Sequence, residues 1–188
     1  MPRLLLVIIL AFAVYSCSDN DSRRATPKRH AFPRIEAYDS GDVSIDLGQL
    51  NFSVSADANI KPAGEQWLDI SYPRYGTTLH LSALRLDCDS EKNKAMANRR
   101  QRISLNIGDA KARADVFTND YSFDCEMVVC NEAVTTPVQF FATDAGGNML
   151  SGAFVIHGTT TPADSMQAVV KILESEAFTI LKSLKSAQ

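Results

Sequence analysis

Residues 138–157 read VQFFATDAGGNMLSGAFVIH, and the fold turns on how that stretch is read. Val138 to Thr143 and Met149 to His157 are apolar-rich runs of strand length, separated by Asp144-Ala145-Gly146-Gly147-Asn148. Two glycines followed by asparagine supply the positive φ angles that a tight hairpin needs. The stretch therefore predicts a pair of antiparallel strands.

Working outward, the same signals recur. Leu68, Ile70 and Tyr72 alternate with Trp67, Asp69 and Ser71, and Leu79, Leu81 and Ala83 alternate with Thr78, His80 and Ser82. A period of two marks half-buried strands, and Pro73 to Gly76 between them reads as a turn. Ala112 to Phe117 and Tyr121 to Cys130 predict a further hairpin around Thr118-Asn119-Asp120. Ala56 to Gly64 and Gly158 to Thr161 have loop composition. Asp87 to Asn106, rich in Lys, Arg, Asn and Ala, predicts a middle helix.

The last helix has the strongest pattern. Thr161 can cap it, Pro162 suits the first helical position and Asp164 follows. Met166, Val169, Val170, Leu173, Ala177, Ile180, Leu181 and Leu184 then recur at helical spacing. A single apolar stripe of this kind packs on a sheet. These elements predict an α+β domain: a mostly antiparallel sheet with a middle helix and a long C-terminal helix packed on it.

The other end of the chain is of a different kind. Arg3 is followed by an uncharged apolar run, Leu4 to Val14, then Tyr15-Ser16-Cys17 and an abruptly polar segment. A charged start, a short apolar stretch and a small residue before the cut describe a secretory signal. The run falls short of the roughly 20 residues that span a bilayer. Val14, Ser16 and Cys17 fit a lipoprotein signal, in which the thiol after the cut receives diacylglycerol and acyl chains such as palmitate. Ordinary secretion with an incidental cysteine is the competing reading. The expected division is a signal peptide over 1–16, lipidated Cys17 and a polar tether over 17–36, and one domain over 37–188. Two or more acyl chains hold a protein stably on a membrane.

Composition narrows the function. Without residues 1–16, 18 Lys+Arg stand against 22 Asp+Glu, a net charge of −4. That argues against nucleic acid as a partner, which calls for a basic stripe. The histidines, His30, His80 and His157, are scattered, and His80 and His157 point away from their apolar neighbours. No metal, cofactor, nucleophile-elbow or phosphate-loop motif occurs, so no enzyme activity, catalytic residue or cofactor is expected. Glu174 and Glu176 fall on different faces of their helix. Arg99, Arg100 and Arg102 read as a solvated helix face, with contact to an anionic partner or lipid headgroup as the alternative.

Three cysteines remain beyond Cys17. Cys125 and Cys130 on one strand would lie about 16 Å apart on opposite faces, too far for a bridge. A disulfide would join Cys88 to one of them, and Cys88–Cys130 is the pairing carried forward.

Several motifs in order resemble the gliding motility-associated lipoprotein GldD family. Thr136-Pro137-Val138-Gln139-Phe140-Phe141-Ala142-Thr143-Asp144 is similar to its S-P-V-Q-F-F-x-T-D. Leu150-Ser151-Gly152-Ala153-Phe154 is similar to L-R-G-A-L-Y-F, and Pro162-Ala163-Asp164-Ser165-Met166 to P-N-x-D-S-L. Upstream, Trp67-Leu68-Asp69-Ile70, Pro73 and Leu79-His80-Leu81-Ser82 resemble C-W-x-x-I…P…L-H-L-S-Y. Pro27-Lys28 and Arg34-Ile35 resemble P-K-P-R-G-Y-F-R-I. The chain departs from the family where Leu50 and Gln66 replace its two cysteines and Ser151 replaces its arginine. A PsbP-type sandwich is a looser likeness in fold.

The resemblance implies an envelope lipoprotein of Bacteroidota-type bacteria, associated with gliding and linked secretion, with no ligand or catalytic residue supplied. The expectation is a non-enzymatic, outer-membrane accessory protein. It would meet membrane lipid through acylated Cys17 and an envelope protein through its body. Lys28 and Arg34 are candidate partner contacts, against simple docking of the tether. Gln139-Phe140-Phe141 and Gly152-Ala153-Phe154 are expected in the core. Alternatives are a surface-exposed lipoprotein that binds glycan or a host component, which Asp19 and Asp21 after Cys17 faintly favour, and a periplasmic hydrolase.

Overall fold

The computed structural model describes residues 41–158 and 163–187. Among them, β1 (Asp42–Leu47), β2 (Leu50–Ser55), β3 (Asn59–Pro62), β4 (Trp67–Tyr72) and β5 (Thr77–Arg85) precede α1 (Asp89–Ile107). Then follow β6 (Ala112–Thr118), β7 (Asp124–Cys130), β8 (Val138–Thr143), β9 (Asn148–Ile156), α2 (Ala163–Ser183) and the short β10 (Lys185–Ser186). Seven strands form one sheet in the order β3-β4-β5-β9-β8-β7-β6, and each neighbouring pair is antiparallel. A second sheet has the order β1-β2-β10. This is the α+β architecture the sequence predicts.

The expected hairpin is β8–β9, paired from Thr143↔Met149 to Val138↔Phe154. It lies near the middle of the large sheet, and all six residues of β8 are buried. The alternation of side chains explains why. Val138, Phe140 and Ala142 join the main core, together with Leu79, Leu81, Leu150 and Phe154. Gln139, Phe141 and Thr143 point to the opposite face, where Phe141 packs with Val128, Met149 and Ile103 of α1. Helices cover the sheet on both sides, so β8 has no wet face.

α2 lies on the main-core face. Its Val169, Val170, Leu173, Ala177, Ile180 and Leu181 are buried there, beside Leu50, Phe52 and Val54 from β2. Full burial of side chains of this size stabilises by about 1.5–3 kcal/mol each, before chain entropy is set against it. Gly152 allows the tightest contact in this layer. A Cβ on it would come within 2.4 Å of the Phe140 ring and 2.9 Å of a Leu81 methyl. Glycine lets the β8 aromatic ring lie against the β9 backbone.

One expectation differs from the structure. The loop expected over Ala56 to Gly64 contains β3, a strand exposed at all four positions. The expected helix start at Thr161 and Pro162 lies outside the described residues, as do Cys17, Lys28 and Arg34.

One buried group on α2 opposes its surroundings. Glu176 is 9% exposed, and its Oε2 accepts no hydrogen bond among the described residues. Burial pushes its carboxyl above the usual carboxylate range; the Ser55 backbone N–H counteracts this, while the Asp42 charge adds to it. A raised folded-state pKa means a contribution to stability that is complete below the unfolded value of about 4.3 and is lost as pH rises through the folded value. Glu176→Gln should therefore stabilise the protein at pH 8 by on the order of 1 kcal/mol. Denaturant titrations of the two proteins should converge below pH 4; a constant difference across pH would contradict this.

Candidate functional site

One row of side chains crosses the face of the large sheet opposite α2. Strand register places Trp67, Ser82, Ser151, Phe141, Glu126 and Val116 side by side on six consecutive strands. α1 crosses this row, and two consecutive arginines read it. Arg99 Nη2 donates to Ser151 Oγ at 2.5 Å and Ser82 Oγ at 3.4 Å, and the two hydroxyls are 2.8 Å apart. Arg100 donates from Nε and Nη2 to Glu126 Oε2, at 3.0 and 2.7 Å. Its guanidinium also stands 5.5 Å from the centre of the Phe141 ring.

The two arginines have opposite electrostatic surroundings. The Glu126 carboxylate raises the Arg100 pKa. Burial lowers that of Arg99, and the charge of Arg102 lowers it further. Elsewhere Arg113 holds Asp115 at 2.9 Å and Glu174 at 2.5 Å, an exposed ion pair network worth little on its own.

α1 leaves the β4 side of the same face open. There Trp67 is 57% exposed, His80 Nδ1 lies 2.6 Å from Asp69 Oδ1, and His157 Nε2 lies 2.8 Å from Thr78 Oγ1. Both histidines hold surface hydrogen bonds, as their outward positions in the sequence indicate. Where the helix meets the open half, Trp67, Ser82, Asn98, Arg99, Arg102 and Met149 line a groove of about 170 Å³. A larger concavity of about 670 Å³ lies elsewhere, beside Asp46, Asn51, Tyr121 and Lys185.

The arginine cluster thus differs from a simple solvated face: Arg99 is half-buried on neutral hydroxyls and Arg100 is paired. A residue list could not show this, because Ser82, Glu126 and Ser151 are far from the helix in sequence.

Among the described residues the cysteines form no bridge. Cys88, Cys125 and Cys130 are free thiols, and only Cys88 is exposed. Burial pushes the Cys125 thiol up to about 12, so it is protonated at neutral pH. The expected Cys88–Cys130 bridge is absent, for a geometric reason. Cys88 immediately precedes α1, whose first turns meet Asp144 through Lys92. Cys130 lies beside Pro137, near the end of α1 where Asn106 donates to Gln139. The 19 residues of α1 separate these ends by about 28 Å.

Among the described residues no group of three His, Cys, Asp or Glu could hold a metal ion. No helix among them is long and apolar enough to cross a membrane. A family model described as gliding motility lipoprotein GldD matches residues 22–186 of the chain. No curated protein matches it.

Proposed function

The chain belongs to the gliding motility lipoprotein GldD family, and from that premise we propose that it is a lipid-anchored docking factor of the outer membrane. The observation that carries this is the extent of the match. It runs from residue 22, five residues past Cys17, through the whole described body to residue 186. A lipoprotein family fixes the coarse location, the cell envelope. The sequence signal at Cys17 supplies the anchor, and the tether of residues 18–36 supplies reach. A leash of about 15 residues extends at most roughly 50 Å. Confinement to that layer raises the effective concentration of the body for a membrane-bound partner without any new contact. The partner class is an envelope protein of gliding or secretion-linked machinery, with Lys28 and Arg34 as the candidate contacts. A two-sided core with open polar surfaces suits docking better than a deep catalytic pocket.

The test separates anchor from body. Cells carrying Cys17→Ala in place of the native gene should keep the chain folded and abundant but move it from the membrane to the soluble fraction. They should then show the same defect as a deletion. Membrane retention of the variant would refute the anchor, and full rescue by a released body would refute tethered docking.

A further inference from the structure

A half-buried guanidinium ordinarily meets a carboxylate, and Arg99 meets none. Among the described residues it makes two bonds, both from Nη2 and both to neutral hydroxyls. Nε and Nη1 have no protein acceptor there. Guanidinium keeps its charge at any physiological pH and carries five donors, and a charge withdrawn from water without a counter-charge is unfavourable. The charged neighbour acting on it is Arg102, which repels it. Arg102 itself donates to the neutral Asn98 side chain at 3.3 Å. One residue along the helix, Arg100 is fully matched by Glu126. The same helix therefore pairs one arginine and leaves two cations unneutralised at the mouth of one groove.

Across that groove stands Trp67, exposed over more than half its surface and fixed in register beside Ser82. It offers a flat apolar platform within reach of hydroxyl and amide groups. The groove's 170 Å³ exceeds the space of a few waters at about 30 Å³ each. Beyond it the sheet surface continues polar through Asp69, His80 and Thr78.

We infer that this groove binds an anionic sugar, a pyranose ring bearing a carboxylate or a phosphate. The anion sits on Arg99 and Arg102, the apolar face of the ring stacks on Trp67, and the exposed Asn98 meets its hydroxyls. Leu84, Ala95 and Met149 also line the groove, but the sheet surface beyond it offers neighbouring sugar units the polar groups of Asp69, His80 and Thr78. The site is independent of the anchor and of any protein partner, so it adds a ligand to the docking body.

Trp67 is the only tryptophan of the chain, so intrinsic fluorescence reports on this groove directly. The full processed chain in detergent is titrated with glucuronate, glucose 6-phosphate, glucose and inorganic phosphate. Glucuronate or glucose 6-phosphate should change the emission saturably in the millimolar range, inorganic phosphate should bind about tenfold more weakly, and glucose should not bind. Arg99→Gln and the exposed Arg102→Gln should each weaken binding about tenfold. Arg102→Gln should leave thermal unfolding unchanged, which keeps the test valid if Arg99→Gln perturbs the fold. Four results would each overturn the assignment: no saturable response to either anionic sugar, equal binding of glucose, equal binding of inorganic phosphate, or undiminished binding by Arg102→Gln.

Discussion

Gly147→Ala should destabilise the protein by about 3–5 kcal/mol. Gly147 has φ +83°, a conformation that L side chains rarely adopt, and a Cβ there would stand 2.1 Å from the Leu86 carbonyl oxygen. The left-handed backbone alone costs about 1–2 kcal/mol for a non-glycine residue. The obstructing atom is main chain and cannot swing aside. The Leu86 N–H also donates to the Gly147 carbonyl at 2.8 Å, so moving either strand breaks a bond. The turn is a junction as well as a hairpin. Asp144 accepts from the Asn148 backbone at 2.8 Å and side chain at 2.7 Å and from Ser186 at 3.0 Å. Lys92 of α1 donates to its carbonyl at 2.9 Å. Burial alone would raise the Asp144 pKa, but the Asn148, Ser186 and Gly146 hydrogen bonds hold it below the usual carboxylate range. Distorting the turn therefore loosens α1 and β10 together. Gly146→Ala is the control. Its φ is not in the left-handed region, and its Cβ would meet the Asp144 carboxylate at 3.4 Å and Asn148 Nδ2 at 3.6 Å, both ordinary contacts with side chains, so it should cost below about 1 kcal/mol. Chemical denaturation of both variants decides the matter, and equal losses would show that the close approach is not the cause.

Asn119→Ala should cost about 3–4 kcal/mol, near the sum of four ordinary hydrogen bonds. Asn119 is 5% exposed and uses its whole amide. Oδ1 accepts from the backbone N–H of Tyr121 at 2.9 Å and Phe123 at 3.0 Å. Nδ2 donates to the carbonyls of Leu181 and Leu184, both at 2.8 Å. Those carbonyls belong to the end of α2, which has no helical partner for them. One side chain thus closes the β6–β7 turn and caps the C-terminal helix. Alanine would leave the buried Phe123 N–H, the half-buried Tyr121 N–H and two buried carbonyls without this partner. Asn119→Asp keeps the size and the acceptor but turns an oxygen toward two carbonyls, so it should be at least as damaging at neutral pH. A variant within 1 kcal/mol of wild type in either case would mean that water replaces the cap at little cost.

The sequence shows these elements but not their junctions. Alternation at Leu68–Tyr72 and Leu79–Ala83 marks β4 and β5 because one face of each is buried and the other is wet. Glycine composition marks the β8–β9 turn, and helical spacing marks α2. β1 and β3 escape this reading because their side chains are largely exposed, so no apolar period records them. β2 does carry a period, in Leu50, Phe52 and Val54, that an alternation search could have found. The predicted hairpin at Asn119 is present, yet its bonds to Leu181 and Leu184 link positions more than sixty residues apart.

The candidate groove was visible only in fragments. Arg99 and Arg102 stood out as charges, Trp67 as one member of an alternating strand, and Ser151 as a departure from the family's R-G-A pattern. Strand register brings Trp67, Ser82 and Ser151 into one row, and α1 sets Arg99 against it. A guanidinium therefore reaches Ser151 from the helix. Sequence spacing cannot express that relation, because it depends on which strands become neighbours.

Docking at the envelope is most directly tested by photo-crosslinking in native membranes. A photoreactive residue placed at Val116 or Leu105, which are 74% and 75% exposed, leaves the core and the groove intact. Illumination should yield a defined adduct with an envelope protein, and the adduct should vanish when the same chain carries Cys17→Ala. Recovery of no envelope protein from either position, with the chain folded and membrane-bound, would contradict the docking role.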